Sequence, residues 1–263
     1  YMGYPIGNDA FVVIRYNTNG SLDTSFNSDG IATTPFGNAY SISMQSDGKI
    51  VAAGYGGISG TGGFAIARYN PNGSLDTTFD SDGMLVTPIG HSARAASVNI
   101  QTDGKIVAAG TSYVSTTGLT DTDLAVARYN SNGSLDTTFG GDGIITTPIN
   151  QGISQINSVA LQPDGSIVGV GYTSPWFDGG GGSSSELDNF IIARYNDNGS
   201  LDTAFDSDGI VITDCLHLSG SLSDVSIQAD GKILAASYSQ LHRYAPDGTR
   251  DATFGVGTGI VNA

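Results

Sequence analysis

Residues 97–139 read SVNIQTDGKIVAAGTSYVSTTGLTDTDLAVARYNSNGSLDTTF, and this stretch decides the fold. Its opening, Ser97–Gln101, alternates apolar and polar side chains as a half-buried strand does. Asp103-Gly104 follows, a strong hairpin signal, because a type I′ turn needs positive φ at both central positions. Lys105–Gly110 and Leu124–Asn130 are near-continuous runs of small and β-branched residues, which argues for strands buried on both faces. Beyond Phe139 a second Gly turn leads into a fourth strand, GDGIITTP at 141–148. The unit is a four-stranded antiparallel sheet.

The unit repeats. Its third strand reads FVVIRYN at Phe11–Asn17, FAIARYN at Phe64–Asn70, LAVARYN at Leu124–Asn130, FIIARYN at Phe190–Asn196 and LHRYA at Leu241–Ala245. The arginines Arg15, Arg68, Arg128, Arg194 and Arg243 are 53, 60, 66 and 49 residues apart. The hairpin of the first two strands recurs at Ser41, Ser97, Ser158 and Asp224. Third and fourth strands occur five times but first and second only four, so 18 strands are expected where five full units need 20. One such sheet cannot cover its own faces, so neighbours must stack, and radial stacking gives a β-propeller. A parallel β-helix, the alternative, wants shorter rungs without Asp-Gly hairpins. The expectation is therefore an all-β propeller of four-stranded antiparallel blades. Five blades are expected, one of them incomplete or closed by both termini. Residues 1–263 form one domain, with units at about 1–40 (partial), 41–90, 97–150, 157–214 and 223–263.

The motifs Q-x-D-G-K-I-V-A-A-G, F-A-I-A-R-Y-N-x-N-G-S-L-D-T-T-F and D-G-I, recurring in fixed order, resemble the delta-60 repeat family of bacteria. The resemblance covers nearly the whole chain. It implies a propeller and a secreted or cell-surface setting, and carries no catalytic residues with it.

Composition closes off other classes. Of 25 acidic residues only Glu186 is not Asp, and Asp belongs in turns rather than helices. The net charge of −15 and the absence of any Lys/Arg cluster argue against nucleic acid and against anionic membrane surfaces. No apolar run is long enough to span a bilayer as a helix. One cysteine, Cys215, allows no internal disulfide framework.

Repeated residues are first read as structural. Asp23, Asp76, Asp136, Asp202 and Asp251 each follow a repeat arginine by eight residues, and a partly buried Arg needs such a carboxylate. A ring of arginines around an anionic ligand is the functional alternative. Leu22, Leu75, Leu135 and Leu201, with Phe26, Phe79, Phe139 and Phe205, read as plugs between blades. Asp80 with Asp82 and Asp206 with Asp208 precede a Gly as in oxygen-ligand loops, which makes calcium a candidate cofactor; Asx turns explain the same residues without metal.

Function is sought where the repeat varies. The loop between second and third strands is longest at Thr173–Asn189 and holds Trp176, Phe177 and Asp178. Tyr55, Tyr113, Tyr172 and Tyr238 stand at or near the ends of the second strands. Together they form a candidate aromatic face for a glycan or a surface protein, although each Tyr could merely cover its own blade. His91, His217 and His242 are non-equivalent and no catalytic motif is present, so a binding, adhesion or scaffold module is expected. A structural spacer or a polysaccharide-acting enzyme are the alternatives. Open strand edges would allow self-association.

Overall fold

The computed structural model describes residues 9–58, 61–114, 121–149, 152–175, 188–214 and 220–262. Trp176, Phe177 and Asp178 lie outside them. The described residues form 18 strands and no helix. The first sheet holds only β1 (Phe11–Ile14) and β2 (Ile31–Thr34). The second runs β3 (Asn38–Met44), β4 (Ile50–Ile58), β5 (Thr61–Tyr69), β6 (Met84–Thr87). The third runs β7 (Ser92–Ile100), β8 (Ile106–Tyr113), β9 (Thr122–Tyr129), β10 (Ile144–Thr147). The fourth runs β11 (Gly152–Leu161), β12 (Ile167–Pro175), β13 (Asn189–Tyr195), β14 (Ile210–Thr213). The fifth runs β15 (Asp224–Ile227), β16 (Ile233–Ala236), β17 (Gln240–Tyr244), β18 (Ile260–Asn262). All pairings are antiparallel. Of the two expected arrangements, the described residues show the incomplete blade, and it is the first: β1–β2 stands as its own sheet and β15–β18 is whole.

First strands touch one another from blade to blade, β3 with β7, β7 with β11 and β11 with β15, so they line the inner side of the array. Second and third strands carry the core. Val51, Ala53, Phe64 and Ile66 pack forward onto the third blade, while Ile50, Ala52, Ala65 and Ala67 pack back onto the first. Both faces are covered because every inner blade is sandwiched, which is why these strands read as unbroken apolar runs.

The first strands of the middle blades are bulged. Register slips between Ala39 and Ser41, Ala95 and Ser97, and Ile156 and Ser158. Opposite each bulge stands a glycine. A Cβ on Gly54, Gly110 or Gly171 would lie 1.8, 2.0 or 1.9 Å from a carbonyl oxygen of the bulged strand. The bulge in turn frees a hydroxyl for the next blade: Ser41 Oγ accepts from the Val98 amide at 3.1 Å and Ser97 Oγ from the Val159 amide at 3.2 Å. In the fifth blade Ser237 stands where Gly would be, and β15–β16 pairing stops at Ala236 without a bulge.

The missing inner strands of the first blade leave a mark on the second. Val98 and Ile100 on β7 pack against the preceding blade. Their counterparts Ile42 and Met44 on β3 are 57% and 72% exposed, the first sheet having only β1 and β2 among the described residues.

Candidate functional site

The repeat arginines and aspartates meet in all five blades. Nε of Arg15, Arg68, Arg128 and Arg194 donates to Asp23, Asp76, Asp136 and Asp202 at 2.8 Å, and Arg243 to Asp251 at 2.7 Å. Each guanidinium also lies over the plug phenylalanine of its own blade, with centroid distances between 4.5 and 4.8 Å. Local turn chemistry presets the carboxylate: Asp136 Oδ1 accepts from the amide and hydroxyl of Thr138, leaving Oδ2 for arginine. Lys49, Lys105 and Lys232 add a second cation to Asp76, Asp136 and Asp251 at 3.7, 3.5 and 3.1 Å.

The guanidinium does more than pair. Its Nη1 crosses to the next blade, where Arg15 donates to the Pro71 carbonyl at 2.5 Å, Arg68 to Ser131 at 2.5 Å, Arg128 to Asp197 at 2.7 Å, and Arg194 to Pro246. Beside each crossing a backbone bond joins the same blades: the amides of Asn27, Asp80, Gly140 and Asp206 donate to the carbonyls of Asn72, Asn132, Asn198 and Asp247. Tyrosine hydroxyls complete the joint, with Tyr69 on Thr34 at 2.9 Å, Tyr129 on Thr87 at 2.8 Å, Tyr195 on Thr147 at 2.9 Å and Tyr244 on Thr213 at 3.4 Å. Arg15, Arg68, Arg128 and Arg194 therefore act as clamps between blades, with Arg128 and Arg68 almost wholly enclosed and Arg15 part-exposed. The arginines do not line a channel.

Burial alone would push the Asp136 carboxyl up. Thr138, Arg128 and Lys105 together outweigh it and hold it at about 2, below the ordinary 3.8. Asp76 is lowered by the same balance, and Asp251 is held low chiefly by its hydrogen bonds to Thr253. His242 goes the other way relative to its charge. It is buried against Phe190, neither ring nitrogen has a hydrogen-bond partner among the described residues, and burial followed by Arg250 pulls it from 6.5 to about 4. All these folded-state values lie below the unfolded ones, so each group contributes stability at higher pH and loses it as pH falls. The unfolding free energy, measured in urea, is expected to drop in two windows. One lies between about 6.5 and 4, from His242, and one between about 4 and 2, from the aspartates. Replacing His242 by Leu removes the first step and Asp136→Asn shallows the second. A flat profile from pH 6.5 to 2 contradicts the assignment.

The calcium candidates are turn residues in the structure. Asp80 and Asp206 adopt left-handed φ of +46° and +48°, and Oδ1 of Asp82 and Asp208 accepts the Met84 and Ile210 amides. Among the described residues no group of three or more His, Cys, Asp or Glu converges on a metal position.

The tyrosines divide. Tyr55 lies over the backbone of Gly62 in its own blade. Tyr238 sits in the Ser237–Gln240 turn and is fully exposed. Tyr113 ends β8 in the third blade, and Tyr172 lies on β12 in the fourth, paired in register with Gln155. Burial pushes the Tyr172 phenol up, Asp188 adds to this, Arg94 opposes it, and Tyr113 is close enough to contribute.

Sequence reasoning did not single out Arg94. It anchors a polar line across the inner strands: its guanidinium lies 5.4 Å from the Tyr40 ring and donates to Gln155 at 3.0 Å. Gln155 donates to Asn157 at 2.5 Å, and Asn157 to Ser221 and the Leu222 carbonyl at 2.6 and 2.8 Å. Behind it, buried hydroxyls hold the two blades: Thr111 and Thr122 donate to the Ser154 carbonyl at 3.0 and 2.9 Å. One signal was present, since only Arg94 and Arg250 of the seven arginines fall outside the repeat series.

Solved structures of similar shape include a protein of unknown function from Dyadobacter fermentans DSM 18053, with 13% identity and a TM-score of 0.47. The alignment covers 88% of this chain and 66% of that one. PorZ, a surface component of the type-IX secretion system of Porphyromonas gingivalis, aligns at 11% identity and a TM-score of 0.39, covering 90% and 29%. Kuenenia stuttgartiensis hydrazine synthase aligns at 15% and 0.46, covering 90% and 34%. The chain thus spans less than two thirds of the length of each. No curated protein matches the sequence. The model of a family described as "domain of unknown function (DUF5122) beta-propeller" matches residues 2–26, 45–79, 101–139, 162–205 and 228–254. These five segments take in well over half of the chain, one per blade. The chain belongs to this β-propeller family.

Proposed function

We propose that this propeller is a non-catalytic, delta-60-type module of a bacterial secreted or cell-surface protein, and that it binds glycan. The bound sugar would sit at the joint of the third and fourth blades. The observation that carries this reading is the Arg94 guanidinium, 5.4 Å from the Tyr40 ring and hydrogen-bonded at 3.0 Å to Gln155, the strand partner of Tyr172. Half-exposed aromatic rings offer stacking area, and a positioned guanidinium offers donors that orient sugar hydroxyls. A glycan array probed with the wild-type protein, followed by titration of the best binder, tests it. Arg94→Ala and Tyr172→Ala are each expected to weaken binding at least about tenfold, since each removes one such contact. Tyr55→Ala should change it little. Absence of any glycan binding, or binding indifferent to both changes, contradicts the proposal.

A second reading, a spacer or scaffold, is favoured by one observation. The repeated arginines Arg15, Arg68, Arg128 and Arg194 and the repeated tyrosines Tyr69, Tyr129, Tyr195 and Tyr244 are all spent on joining one blade to its neighbour.

A further inference from the structure

Ten lysines and arginines face 25 carboxylates in this chain, and most of the ten are spent inside it. Arg15, Arg68, Arg128, Arg194 and Arg243 are ion-paired in their own blades, and Lys49, Lys105 and Lys232 pair with aspartates beside them. Among the described residues only Arg94 and Arg250 have no carboxylate partner. Arg250 is exposed on the fifth blade. Arg94 is part-exposed on the inner strand β7 and is held in place.

What holds Arg94 is neutral. The Tyr40 ring lies over its guanidinium, 5.4 Å from the central carbon. Nη2 donates to Gln155 Oε1 at 3.0 Å. That amide is not free to turn. The Leu222 carbonyl can only accept, so Asn157 gives it Nδ2 and turns Oδ1 to Gln155. Gln155 then gives Nε2 to Asn157 and keeps Oε1 for the arginine. The hydrogen bonds thus run one way, from the guanidinium through the fourth blade to a main-chain carbonyl. Of the several N–H donors on Arg94, this one alone meets an acceptor among the described residues. The charge and the rest of the fork are left for a ligand.

We infer, resting on the glycan reading above, that Arg94 receives a carboxylate, and that the ligand is an otherwise neutral glycan carrying one acidic sugar such as a uronic acid. A carboxylate matches the planar fork with two parallel hydrogen bonds, which a lone hydroxyl does not. The single charge follows from the surface around it. A chain of net charge −15 offers a polyanion one attractive contact and repulsion along the rest of its length. One acid group on a neutral oligosaccharide gains the contact and escapes the repulsion.

The test presents the whole chain with an array of matched oligosaccharides. Each is printed with one terminal uronic acid, with that carboxyl reduced to the alcohol, and with a sulfate ester in its place; the best series is then titrated in solution. The acid form is expected to bind at least about tenfold more tightly than its reduced form, as a hydrogen bond to a charged group does. Arg94→Gln should erase that ratio. Arg94→Lys should recover little of it, because an ammonium keeps the charge without the fork. Gln155→Glu places a carboxylate against the guanidinium from within and should erase the ratio as well, which gives a second reading should Arg94→Gln melt early. Arg250→Gln removes the same charge elsewhere and should leave the ratio at its wild-type value. Equal binding of acid and reduced forms overturns the inference and leaves the glycan reading standing. A preference for the sulfate ester over the carboxylate, or an equal fall with Arg250→Gln and Arg94→Gln, also overturns it. If no member of any series binds, the inference and the glycan reading fall together.

Discussion

Replacing Arg128 by Ala is expected to lower the unfolding free energy by about 3–5 kcal/mol, the cost of leaving a buried carboxylate without its partner. Asp136 would keep Thr138 and, at 3.5 Å, Lys105, but it would lose the Nε bond. The fourth blade would lose a donor to the Asp197 carbonyl and an ion pair with its side chain at 2.6 Å. The position in the array decides the size of the effect. Arg15 makes the equivalent bonds with its side chain 32% exposed, so Arg15→Ala should cost no more than about 1 kcal/mol, as exposed pairs do. Arg128→Lys should recover little, because an ammonium cannot hold Asp136, Thr138 and the next blade's carbonyl at once. Chemical denaturation of the three variants checks this. Equal losses at Arg15 and Arg128 would show that the clamp carries no weight.

The second large effect concerns a glycine with ordinary negative-φ backbone. Gly110→Ala would place a Cβ 2.0 Å from the Arg94 carbonyl and 2.9 Å from the Ala96 amide, both backbone atoms that cannot step aside. The bulge between Ala95 and Ser97 must then open, and with it the bond from the Val159 amide to Ser97 Oγ. A loss of at least ~3 kcal/mol is expected, at the upper end for overpacking. Gly104→Ala supplies the contrast. That glycine has φ of +87° with open space around it, so only backbone strain of about 1 kcal/mol is at stake. The fifth blade has already taken this route, with Ser237 in place of Gly and no bulge. A Gly110→Ala protein as stable as wild type would remove the steric account.

The fold was legible because turn chemistry is local. Asp-Gly and Asn-Gly pairs name their own conformations, and five copies of one pattern leave little freedom of register. The Arg–Asp spacing of eight was legible for the same reason. What the repeat arginines reach in the next blade was not, because the shared acceptor is a backbone carbonyl, supplied to Arg15, Arg68, Arg128 and Arg194 by Pro71, Ser131, Asp197 and Pro246 in turn. A carbonyl leaves no trace in side-chain identity. Gly110 was read as one more small residue in an apolar run, since its use appears only when the bulged partner strand is in place. Arg94 and Gln155 hold the same position of the first strand in successive blades but differ in identity, as does Asn157 from its counterpart Ala96, so no recurring residue type drew attention to them. The strand count showed two strands short, yet only the packed structure shows which side chains that leaves bare.

The central claim is that blades are held to one another by a joint built around each third-strand arginine. Native-state hydrogen exchange on Arg128→Ala tests it most directly. The Gly140 amide, bonded across the third joint to Asn198, should lose protection by a larger factor than the Asp80 amide, bonded across the second joint to Asn132. Equal protection at both amides, or loss confined to the interior of the third blade, would contradict it.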